Sequence, residues 1–173
     1  SAALVEIGEF SQAHYAAQRA VQLNPDSAES YLNLADVLYL AASFDDGHAA
    51  LKEAMKRDPD NPRAYSKLSN IYERLDEADD ALWAIDKAIE LSPDTPLFYA
   101  RKASILHIAN DIERALECVD QALEMNPNLM PALISKAEIL IAVNRIDEAK
   151  EVLQKAKKVD PDHPLIYFTT SSV

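Results

Sequence analysis

Residues 28–61 read AESYLNLADVLYLAASFDDGHAALKEAMKRDPDN. Apolar side chains fall at Tyr31, Leu34, Ala35, Leu38 and Ala41, the spacing that gathers residues on one face of a helix. The pattern restarts at Gly47, Leu51, Ala54 and Met55. Asp45 and Asp46 open this second stretch, where negative charge complements the positive end of a helix dipole. Asp58 precedes Pro59, and the residue before a proline is pushed out of the helical region, so the second helix stops there. The stretch predicts two helices joined by a short turn.

Outward from this stretch the same marks recur. Pro25, Pro59, Pro93, Pro127 and Pro161 are each 34 residues apart, a period that suggests a repeat array. Other columns share it: Ala20, Ala54, Ala88, Ala122 and Ala156; Tyr31, Tyr65, Tyr99, Leu133 and Tyr167; Ala35, Ser69, Ala103 and Ala137; Ala13, Gly47, Ala81, Ala115 and Ala149. Small residues let two helices approach closely while larger neighbours fill the grooves above them. A lone helix pair cannot bury its apolar face, so successive pairs must stack. Asn61-Pro62 and Thr95-Pro96 each set a capping side chain before a proline suited to the first helical turn, and His163-Pro164 keeps the proline with a weaker cap.

Composition narrows the classes. With 2 glycines in 173 residues the chain lacks the backbone freedom that phosphate-cradling loops and nucleophile elbows use. The net charge of −12 argues against nucleic acid and anionic membranes as partners. One cysteine, Cys118, excludes an internal disulfide and any multi-cysteine zinc site, and the residue reads as a small packed side chain. No Walker loop, H-E-x-x-H or G-x-G-x-x-G is present, and the carboxylates cluster at helix starts and turns, so a non-catalytic protein without cofactor or metal is expected. The longest apolar stretch, LISKAEILIAV, is interrupted by Lys136 and Glu138 and too short for a bilayer. The opening SAALVEIGEF has no basic region and no long apolar run, so the expected location is the cytoplasm, although an excised fragment could have lost its targeting segment.

The 34-residue period, the Tyr31-x-x-Leu34-Ala35 pattern, the alanine of the second helix and the closing proline resemble the tetratricopeptide repeat (TPR) family. The resemblance implies an all-α, right-handed superhelical solenoid of helix-turn-helix repeats. It covers a partial repeat at 1–27, full repeats at 28–61, 62–95, 96–129 and 130–163, and the opening of another at 164–173, as a single array. Lys102 and Lys136 depart from the leucines of their column, Leu34 and Leu68; their stems can pack while the amines reach water.

The resemblance also implies a scaffold that binds a partner peptide or helix in a concave groove lined by the first helices. Groove residues expected here include Leu32, Asn33, Asp36, Arg63, Lys67, Asn70, Arg74, Leu97, Ala100, Arg101, His107, Ile108 and Ile134. Arg63, Lys67, Arg74 and Arg101 form a local cationic group within an acidic chain. That group reads either as a seat for an acidic peptide or carboxylate or as a set of ion pairs with adjacent helices. Leu97, Ile108 and Ile134 would add apolar contact, and His107 a hydrogen bond. Chaperone-binding relatives clamp a free C-terminal carboxylate with lysine, asparagine and arginine. Asn33 matches one of those positions, Arg63 and Lys67 keep the charge at two, and Ala2 loses another. Trp83 offers a second contact surface or partial burial against a neighbour. Tyr167 and Phe168 would lie on an open end, so either the array continues or the end pairs with another copy as a homodimer. Two other readings stay open: a recruiting or regulatory segment of a larger enzyme such as a transferase, and a self-assembling scaffold.

Overall fold

A computed structural model describes the backbone of residues 2–161 and the side chains of residues 11–161. Among the described residues the secondary structure is entirely helical, in the order α1 (Ala2–Leu23), α2 (Ala28–Leu40), α3 (Phe44–Arg57), α4 (Pro62–Arg74), α5 (Ala78–Leu91), α6 (Pro96–Ile108), α7 (Ile112–Met125), α8 (Met130–Ala142) and α9 (Ile146–Val159). The chain divides into two compact units, residues 1–91 and 92–173.

In the first unit α2 pairs with α3 and α4 with α5, while α1 packs on α2 and α3 on α4. In the second, α6 pairs with α7 and α8 with α9, and α7 packs on α8. First helices also touch within each unit, α2 with α4 and α6 with α8.

The turn inside every repeat is built in one way. Ala42, Asp76, Asn110 and Asn144 adopt φ of 56°, 63°, 62° and 61°, and they lie one repeat length apart. Each closes its helix with a left-handed residue, so that the next amide reaches back five residues. Ser43 N–H donates to the Leu38 carbonyl at 2.9 Å, Glu77 to Tyr72 at 2.9 Å, Asp111 to Leu106 at 2.9 Å and Arg145 to Leu140 at 2.8 Å. These bonds satisfy carbonyls that a helix end would otherwise leave bare. The acids expected at the second helices stand in the first turns of α3, α5, α7 and α9.

Caps at the first helices are mixed. Asn61 Oδ1 accepts from Arg63 N–H at 3.1 Å, and Ser27 Oγ from Ser30 N–H at 3.3 Å. Thr95, expected to cap α6, makes no such bond. Its hydroxyl pairs with Ser92 Oγ at 2.8 Å instead.

The small columns lie in the core. Ala35, Ser69, Ala103 and Ala137 are buried, as are Gly47, Ala81, Ala115 and Ala149. At Gly47 an added Cβ would meet Ile71 Cδ1 at 3.2 Å and Leu38 Cβ at 3.7 Å, so α2, α3 and α4 converge there. Leu32, Leu51, Leu68 and Ile71 fill the first unit's core and Leu133, Ile134 and Ala156 part of the second's. Each large aliphatic side chain so buried contributes about 1.5–3 kcal/mol.

The N-terminal element departs from the periodic expectation. Gly8 shares the column of Ala42 and Asp76, where a turn is due, yet α1 runs unbroken over 22 residues.

Candidate functional site

The candidate residues fall on the first helices of both units. In the first unit, Arg63, Lys67, Asn70 and Arg74 project from α4 and Asn33 from α2. Arg63 donates from Nη1 to both carboxylate oxygens of Glu29, at 3.1 and 3.0 Å. Lys67 is ion-paired with Asp36. Arg74 places its guanidinium 5.9 Å from the ring centre of Phe44, which itself leans on Tyr39 at 5.8 Å. Asn33 is exposed, whereas Asn70 is half-buried. Asn70 Oδ1 is covered and has no hydrogen-bond partner among the described residues.

Of the two readings of the cationic group, ion pairing with the adjacent helix holds for Arg63 and Lys67. Both are compensated by acids of the preceding first helix. Glu29 and Arg63 occupy the same column 34 residues apart, so stacking one repeat on the next sets opposite charges side by side. Leu32, expected to face the groove, is fully buried in the core.

In the second unit, Leu97, Arg101, His107 and Ile108 sit on α6 and Ile134 on α8. Leu97 and Ile108 are 47% and 60% exposed, ample for contact with a partner. Ala100 and Ile134 are instead buried, and Ile134 packs in the core with Leu133 and Ala156. The cause is the tight approach of α8 to its neighbours. Ser104 on α6 and Ser135 on α8 place their hydroxyl oxygens 3.3 Å apart. Around them opens a cleft of about 420 Å³, lined by Ser104, Met130, Pro131, Ile134, Ser135, Glu138 and Asp160. Its polar lining is hydroxyl and carboxylate, so it is no seat for an anion. Desolvation raises the Glu138 carboxyl above its ordinary range, and the nearby His107 partly counters this.

Other singled-out residues have defined surroundings. Lys136 reaches Asp120 of α7 at 2.5 Å with its stem partly covered, as its apolar column suggests. Trp83 is half-exposed and stands edge-on to Tyr65, ring centres 6.1 Å apart. Cys118 is half-buried. Tyr167 and Phe168 lie outside the described residues. Among the described residues no three His, Cys, Asp or Glu side chains gather to hold a metal ion, and no helix is long and apolar enough to cross a membrane.

Sequence reasoning missed Glu29 and the left-handed column. Both were signalled, the first by opposite charges one period apart, the second by Asp76, Asn110 and Asn144, residue types that tolerate φ > 0.

Comparison with known proteins agrees with this geometry. Models of the tetratricopeptide repeat match residues 38–105 and 106–167, and a further one matches 3–43. The chain belongs to the tetratricopeptide repeat family. Members of that family bind protein or peptide partners and are generally non-catalytic, and the chain is accordingly a protein-interaction scaffold. Among curated proteins no sequence match is found. The crystal structure of TTC0263, a thermophilic TPR protein in Thermus thermophilus, superposes with a TM-score of 0.86 at 21% identity, over 99% of this chain and 94% of that one. MamA gives a TM-score of 0.68 at 21% identity over 90% and 85% of the two chains. YrrB, described as a TPR protein with an unusual peptide-binding site, gives 0.68 at 19% identity over 97% and 87%.

Proposed function

We propose that this scaffold binds an acidic peptide segment on its first-helix face, with Arg63 as the principal anchor. The observation that supports the reading is the one-sided use of that guanidinium. Both bonds to Glu29 come from Nη1, and the Nε/Nη2 edge has no partner among the described residues. That edge is a fork matched to a second carboxylate. Arg63 and Glu29 are each about half exposed, 54% and 52%, so their bridge is a weak one that a ligand can share or replace. Asn33, exposed on α2, and Lys67, one turn along α4, lie on the same unit as Arg63. YrrB's description as a peptide-binding TPR protein is in keeping with a peptide ligand.

The test is selection of peptides from a random displayed library against the whole chain, followed by titration with Arg63→Glu and Lys67→Glu variants. The reading expects an acidic consensus whose affinity falls with salt and drops at least tenfold in Arg63→Glu at unchanged helicity. A consensus without acids, or indifference to both substitutions, would reject it. Comparing free-acid with amidated peptides separates a terminal carboxylate from internal acidic side chains.

A further inference from the structure

A second cleft, of about 430 Å³, opens in the first unit between α1, α2 and α3. Its walls include Tyr31, Leu34, Leu38 and Ala49, and Asp46 and Glu53 stand at its polar edge. None of the peptide-face residues above lines it.

The repeat itself shows what fits such a place. Adding 34 to each wall position gives the corresponding site one repeat on, where Tyr65 replaces Tyr31, Leu68 replaces Leu34 and Trp83 replaces Ala49. There the indole of Trp83 stands edge-on to Tyr65, ring centres 6.1 Å apart. In the first repeat Ala49 carries only a methyl, and the space beside Tyr31 is left open. The cleft is thus the void of an indole that the next repeat supplies from its own chain.

Its wall is firmly held. The Arg57 guanidinium lies 4.2 Å from the Tyr31 ring centre, and Nη2 donates to the Tyr31 hydroxyl at 3.1 Å. A ring entering the cleft therefore meets a fixed aromatic partner, and such pairs prefer the tilted geometry already seen for Tyr65 and Trp83. The volume falls in the ordinary range of ligand pockets, about 300–1,000 Å³.

Charge selects what carries the ring. Glu53 is already paired with Lys56 at 2.5 Å and Arg57 at 2.8 Å. Asp46, in the first turn of α3 beside Asp45, supplies the negative potential at the mouth. One repeat on, the counterpart of Asp46 is Asp80, but that of Glu53 is Lys87 and that of Gln18, a further wall residue here, is Lys52, so the second site keeps one acid and adds two cations.

We infer that the cleft between α1, α2 and α3 is a docking site for an aromatic side chain, tryptophan above all, carried on a basic segment of a partner protein. It is independent of the acidic-peptide face and serves a different ligand chemistry.

The test uses the whole chain, labelled with nitrogen-15, and three capped tripeptide probes: Lys-Trp-Lys, Lys-Ala-Lys and Glu-Trp-Glu. The inference expects Lys-Trp-Lys to shift the amide resonances of Leu34, Leu38 and Ala49. It expects Lys-Ala-Lys to shift none of them and Glu-Trp-Glu to bind at least threefold more weakly. Ala49→Trp, which copies the next repeat, should fill the cleft and weaken Lys-Trp-Lys at least tenfold while leaving helicity unchanged. Should that variant fail to fold, Leu38→Tyr, copying Tyr72, narrows the same cleft and should also weaken binding. Equal responses to the Trp and Ala probes, shifts confined to residues around Trp83, or undiminished binding by a folded filled variant would each overturn the assignment.

Discussion

Arg57 and Tyr31 form a clasp between the end of α3 and the start of α2: the guanidinium covers the ring at 4.2 Å from its centre and donates to its hydroxyl at 3.1 Å. The same side chain reaches the Pro25 carbonyl at 2.5 Å, tying in the turn ahead of α2. Other positions of this column are Leu23, Leu91, Met125 and Val159. Arg57→Leu should therefore fold but unfold at lower urea than the parent. Arg57→Lys should recover only part of the loss, because an ammonium cannot stack and fork at once. An unchanged urea midpoint in Arg57→Leu would show the clasp to be idle.

Ala42 holds a left-handed backbone with φ of 56°, a conformation that costs a residue with a Cβ about 1–2 kcal/mol. Asn110 and Asn144 occupy the same turn in later repeats. Ala42→Asn should raise stability by about 0.5–1 kcal/mol, since asparagine tolerates this region better. Equilibrium urea unfolding checks it, and a loss of stability would contradict the reading of the turn.

Gly47 sits within α3 where the other full repeats carry alanine. Alanine is better than glycine in a helix interior by about 0.8–1 kcal/mol. The added methyl meets the Ile71 Cδ1 terminus at 3.2 Å, a flexible end that needs to yield only slightly. Gly47→Ala should thus stabilise the protein by about 0.5 kcal/mol after that adjustment. Thermal unfolding would expose the opposite sign if the approach of α4 is rigid.

His48 contributes a pH dependence. Burial, then the nearby Lys52, holds its imidazole below the ordinary value, with Glu77 and Asp45 pulling the other way; its ring meets Tyr72 edge-on at 5.6 Å. Below about pH 6.5 the unfolded chain takes up this proton before the folded one does, so stability falls as pH drops through that window. His48→Leu, the residue of Leu82 and Leu116 in the same column, should flatten that part of the profile. Urea midpoints at pH 5 and pH 7.5 decide it, and parallel profiles for the two proteins would count against the assignment.

Much of this molecule is readable in its letters because stacking repeats turn spacing into contact. The small residues at 35, 47 and 54 and their later copies announce where helices touch, and those positions are buried. Leu32 and Ala100 are buried although they read as groove residues, because a face counted from one helix alone ignores the neighbour that covers its edge. The pairing of Lys67 with Asp36 is hidden for a related reason: the two are 31 residues apart, off the period, and only the docking of α4 on α2 brings them together. Thr95 fails as a cap because its hydroxyl has a nearer competitor in Ser92, a choice that geometry makes and composition does not.

The bridge between Glu29 and Arg63, weak as it is, also marks an order. The alanine columns would let any repeat sit on any other, like identical bricks. Opposite charges at one register distinguish the bricks: with 62–95 excised, Glu29 would lose its partner, since the next position of the Arg63 column is Leu97. Backbone register thus permits shuffling, while surface charge records which neighbour is correct.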